Sequence, residues 1–90
     1  MADIERTATI ANKRGLHARA AAKFAQTAID FDAAITVTKG GQSVSGSSIM
    51  GLMMLAAAKG TSIHLAATGA DAKVAVDAIC NLIDARFDED

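Results

Sequence analysis

The sequence predicts an α+β fold, an open-faced two-layer sandwich in which a four-stranded antiparallel sheet carries three helices on one face. The element order is β-α-β-β-α-β-α. Three observations predict it. Short segments alternate apolar and polar residues, longer ones repeat apolar residues every three or four positions, and glycines mark the boundaries between them. Clean alternation leaves one sheet face wet, so all the helices must cover the other.

The first strand runs from Ile4 to Ile10, with Ile4, Ala8 and Ile10 on one face and Glu5, Thr7 and Thr9 on the other. Arg6 interrupts its apolar face. From Leu16 to about Ala28 the period becomes helical, and Leu16, Ala20, Phe24 and Ala28 recur every four residues. Alternation returns in "AAITVT", with Ile35 and Val37 inward. Lys39-Gly40-Gly41 reads as a hairpin turn into "QSVS". A second helix, apolar nearly all round, is predicted from about Ser48 to Ala58, stopped by Gly60. "TSIHLAA" is a further strand that buries Ile63, Leu65 and Ala67. The last helix opens near Asp71, with Ala75, Ala78, Ile79 and Leu82 as its buried stripe. The acidic end Asp88-Glu89-Asp90 is expected to fray into solvent. Residues 1–90 are read as a single domain.

Composition narrows the function. Hydrophobic residues make up 51% of the chain, so a packed globule is expected rather than disorder. A formal net charge of -1 argues against a nucleic-acid binder held by phosphate neutralisation. No run of about 18 apolar residues occurs, so no membrane insertion is expected. The N-terminal "MADIERT" lacks an apolar signal core, which points to the cytoplasm. Cys80 is the one cysteine, ruling out an internal disulfide. His64 has no evident companion ligands, so neither a metal nor another cofactor is expected. A catalytic carboxylate pair and a substrate-sized glycine loop are also missing, which disfavours a standalone enzyme.

Two stretches carry chemistry. In "RGLHAR", Gly15 permits a sharp bend into the helix and Leu16 is an apolar anchor that fixes how His17 is presented. His17 then falls at the first helical turn, where backbone N–H groups lack partners. The positive end of the helix dipole disfavours an imidazolium and leaves the ring a lone pair. The same end attracts phosphate. Arg19 adds a guanidinium for phosphoryl oxygens, and Arg14 or Lys13 can assist. The competing reading is an inert histidine at an ordinary helix start.

In "GSSIMGLMMLAAAKG", Ser47 or Ser48 supplies the N-cap. A phosphate on such a serine would face the helix N-terminus. Leu52 and Leu55 suit the core, which turns Ile49, Met50 and Met53 elsewhere as an apolar patch, unless so small a domain buries them too. His64 falls on the open sheet face, and Cys80 packs along the last helix.

Together these stretches resemble the histidine-containing phosphocarrier family, HPr, of the phosphoenolpyruvate-dependent phosphotransferase system. Gly15-Leu16-His17-Ala18-Arg19 resembles the family's phosphorylation motif, and Ser48-Ile49-Met50-Gly51 its regulatory serine motif. Gly69-Ala70-Asp71 resembles the turn before its last helix. The resemblance spans nearly the whole chain. It implies that His17 accepts a phosphoryl group from enzyme I and passes it to an enzyme IIA protein or domain, with Arg19 stabilising the phosphohistidine. It also implies that Ser48 is the target of an HPr kinase/phosphorylase, and that Ile49, Met50 and Met53 dock partners. Where the family's motif often continues with proline, Ala20 follows Arg19. The alanine form resembles the nitrogen-type branch, which regulates rather than takes up sugars. A rival from another class is a regulatory binding module acting through Ser48 and its apolar helix, with His17 idle.

Overall fold

A computed structural model describes residues 2–89. The elements follow in the predicted order: β1 (Ile4–Thr9), α1 (Ala18–Ile29), β2 (Ala34–Lys39), β3 (Gln42–Ser45), α2 (Ile49–Met54), β4 (Ser62–Thr68) and α3 (Ala72–Asp84). The sheet order is β1-β4-β2-β3 with every neighbouring pair antiparallel. Its register aligns the apolar residues. Ala8 sits opposite Ile63, Val37 opposite both Leu65 and Val44, and Ile35 opposite Ala67. These side chains meet the helices in one core around Phe24, Leu52, Ile79 and Ile83.

The other face is wet, as the alternation requires. Thr38 and Ser43 hydroxyls pair across β2 and β3 at 2.7 Å. His64 bonds Glu5 at 2.8 Å there. Arg6 does lie on the inner side, but on edge strand β1, where its guanidinium donates to Asp77 Oδ1 at 2.6 Å. Lys73 and then Arg6 hold the Asp77 carboxyl below its usual range, so the charge that interrupts the apolar pattern is paired.

Two boundaries and one buried stripe differ from the sequence expectation, each for a local reason. First, α1 begins at Ala18 rather than Leu16, because the Leu16 N–H donates to the Ala57 carbonyl at 3.0 Å. Gly15 makes that approach possible. It has φ +65°, and a Cβ there would lie 2.3 Å from the Ala57 oxygen. Second, α2 stops at Met54, short of the expected Ala58. The N–H groups of Leu55 and Ala56 turn back to Leu52 and Met53, and Ala56 takes φ 52°. That exit swings the Ala57 carbonyl toward Leu16. Third, the buried stripe of α3 is Ala72, Ala75, Val76, Ile79 and Ile83, leaving Ala78 and Leu82 half-buried. Packing against α1 as well as β1 and β4 rotates the stripe.

The acidic end does not fray as far as it is described. Arg86, Phe87 and Asp88 form one turn with φ of 57°, 54° and 61°, closed by Asp88 N–H to Ala85 and Glu89 N–H to Arg86. Consecutive left-handed residues cost about 1–2 kcal/mol each. Phe87 offsets that cost by inserting a fully buried ring into the core, and Lys23 Nζ donates to its carbonyl at 2.7 Å. Asp90 lies outside the described residues.

Candidate functional site

His17 is the N-cap residue of α1, one position ahead of the expected first turn, in extended backbone. Its side chain makes no capping bond, and its carbonyl accepts from Ala21 N–H at 2.8 Å. The N–H groups of the first helical turn therefore have no intrahelical acceptor and no side-chain cap. The imidazole is 17% exposed. Its Nε2 is hydrogen-bonded to Glu89 Oε2.

Glu89 is in turn held by Asn12. The buried Asn12 Nδ2 donates to Glu89 Oε1 at 2.9 Å and to the Gly15 carbonyl at 2.8 Å. These bonds, Asn12 first and His17 next, outweigh burial and pull the Glu89 carboxyl below its usual range; the Arg14 charge adds to them. Lys13, Arg14 and Arg19 share a cleft of about 250 Å³ with Asp88 and Glu89. The structure thus gathers His17, Arg19, Arg14 and Lys13 at one helix start. Arg19 is exposed and has no protein hydrogen bond or ion pair among the described residues.

Ser48 caps α2, its Oγ accepting from Gly51 N–H at 3.0 Å, whereas Ser47 Oγ pairs with Ser45 instead. Leu52 and Leu55 are buried, while Ile49, Met50 and Met53 are exposed, Met50 at 70%. Met54, unremarked in the sequence, is exposed beside them. The other end of this short helix reaches His17, because Ala56, Ala57 and Ala58 wall a shallow hollow with Arg14, Leu16 and His17. Cys80 is half-buried on α3 against the core. Among the described residues no group of three potential metal ligands occurs, and no helix is long and apolar enough to cross a membrane.

The contacts of Asn12 and Glu89 with the bend that carries His17 were not legible in the sequence. Their signals are an asparagine just before a Lys-Arg-Gly bend, and Phe87, an isolated aromatic in an acidic tail that works as an anchor.

The sequence profile described as "PTS HPr component phosphorylation site" matches residues 4–85. The chain belongs to the HPr family. Among HPr relatives, the phosphocarrier protein NPr of Shewanella violacea is 52% identical over 89 residues, covering 99% of this chain and 98% of that one. The phosphocarrier protein HPr of Neisseria meningitidis is 52% identical over 86 residues, covering 96% and 97%. The crystal structure of an HPr from Thermoanaerobacter tengcongensis superposes with a TM-score of 0.92 at 44% identity, covering 97% of this chain and 98% of that one. Membership of the HPr family assigns a phosphocarrier role in the phosphotransferase system, a carrier rather than a catalytic enzyme.

Proposed function

We propose that His17 carries the phosphoryl group, accepting it from enzyme I and yielding it to an enzyme IIA protein or domain, with residues 1–90 acting as one domain in the cytoplasm. The observation that supports this best is a half-buried imidazole at an uncapped helix N-terminus beside Lys13, Arg14 and Arg19. Free N–H donors and the helix dipole suit a phosphoryl dianion there. The Arg19 guanidinium, without a hydrogen-bond or ion-pair partner among the described residues, is available to grip its oxygens in a bidentate fashion.

Ile49, Met50 and Met53 form the docking surface, adjoining His17 through the α2 exit. Ser48 is the regulatory phosphorylation site for an HPr kinase/phosphorylase. A phosphate on its Oγ would offer new acceptor oxygens to the helix N-terminus and set a dianion beside the apolar patch, weakening enzyme I binding by desolvation. The donor is an enzyme I of the sugar or the nitrogen type, and Ala20 leaves both branches open.

Labelling with phosphoenolpyruvate and each enzyme I tests the reading. The wild-type chain takes an acid-labile label and His17→Ala takes none. Undiminished labelling of that variant refutes the assignment. Labelling only on serine, by ATP and a kinase, would favour the regulatory module instead.

A further inference from the structure

We propose that Glu89, held by Asn12, is a positioning residue for phosphoryl transfer, fixing the His17 tautomer so that Nδ1 is the attacking atom. This rests on His17 being the carrier.

The proton assignment follows from the partners. An ionised carboxylate only accepts, so the hydrogen shared by Glu89 Oε2 and His17 Nε2 belongs to the ring. In a neutral imidazole the other nitrogen, Nδ1, then keeps the lone pair. The ring cannot exchange its nitrogens without losing this bond.

The carboxylate is itself held in place. Both Asn12 amide hydrogens are committed, one to Glu89 Oε1 and one to the Gly15 carbonyl, so Asn12 ties Glu89 to the bend that carries His17. The backbone bringing Glu89 there is the left-handed turn Arg86–Asp88, anchored by buried Phe87 and by Lys23 on the Phe87 carbonyl. Sparsely populated backbone of this kind persists where its surroundings over-determine it, and it clusters at functional sites.

In the step itself, the Nδ1 lone pair forms the N–P bond. The donor's bond to phosphorus breaks and its electron pair returns to the donor atom. No proton moves. The ring acquires positive charge while keeping its Nε2 hydrogen, and the Glu89 carboxylate offsets that charge, as the aspartate of a serine-protease triad does for its histidine. A carboxylate near an incoming dianion is unfavourable taken alone. Here it occupies the far ring nitrogen, and Lys13, Arg14 and Arg19 outnumber Asp88 and Glu89 in the cleft.

The test pairs two readouts on the full chain. Nitrogen-15 NMR of His17 at about pH 9, where an ordinary imidazole is neutral, reports the tautomer without any donor. The wild type shows Nε2–H, and Glu89→Ala shows a mixture containing Nδ1–H. In phosphotransfer from enzyme I, Glu89→Ala lowers kcat about ten- to hundredfold, the range for losing an orienting partner, with KM nearly unchanged. Glu89→Asp, which keeps the charge, recovers part of both. Either readout changing without the other overturns the proposal, as does Glu89→Ala matching wild type in both. A wild-type chain that takes no label refutes the carrier assignment instead, and the tautomer comparison still reports whether Glu89 sets the ring.

Discussion

The Leu16 N–H donates to the Ala57 carbonyl at 3.0 Å, joining the bend that presents His17 to the exit of α2. One bond therefore couples the helix bearing the apolar patch to the histidine. Gly15→Ala should break it. The added methyl would meet the Ala57 oxygen at 2.3 Å, and φ +65° is strained for any side chain. The expected loss is at least about 2 kcal/mol, read as a lower urea midpoint, together with slower acid-labile labelling. An unchanged midpoint would contradict the geometry.

Phe87→Ala removes a fully buried ring and with it the anchor of the C-terminal turn. It should destabilise the chain by about 3–5 kcal/mol in urea unfolding. Because the left-handed turn then lacks its offsetting burial, proteolysis of native protein should clip after residue 85, where the wild type resists.

Acid should loosen the same contact. The folded Glu89 carboxyl titrates below its usual range, so the unfolded chain binds this proton more readily. Its contribution is complete above the ordinary glutamate value of about 4.3 and is lost as pH falls through the lower folded value. Urea midpoints of Glu89→Gln should therefore fall less on acidification than those of wild type. Asp77, lowered by Lys73 and Arg6, contributes a separate share that Glu89→Gln retains.

Met50→Lys places a charge on the most exposed methionine of α2. Stability should stay within about 0.5 kcal/mol, as for ordinary surface changes. The apparent KM for enzyme I should rise about fivefold, the equivalent of about 1 kcal/mol at a docking surface. Unaltered kinetics would remove α2 from the interface.

The elements legible in the sequence were those whose side chains report their own surroundings. The spacing of Leu16, Ala20, Phe24 and Ala28 marks a buried helical stripe, and all four are buried. The placement of His17 and Arg19 at a helix start was legible because a glycine bend followed by a helix defines what lies there. The α2 terminus was not, since an apolar run carries no stop signal before Gly60, and the exit at Ala56 answers to the Leu16 N–H in a distant segment. Glu89 was hidden for a similar reason: an acidic tail reads as solvated until a ring such as Phe87 is seen to enter the core. Asn12 appears as a polar loop residue, and its burial depends on a carboxylate 77 positions away.

That separation has a consequence for synthesis. His17 leaves the ribosome early, but its carboxylate partner is added 72 residues later. At about 5–20 residues per second, translation keeps them apart for several seconds. Strand β4, which must slot between β1 and β2, is also made late. A nascent or prematurely terminated chain thus exposes the histidine without its partner, and the His17–Glu89 contact exists only once translation has passed Glu89.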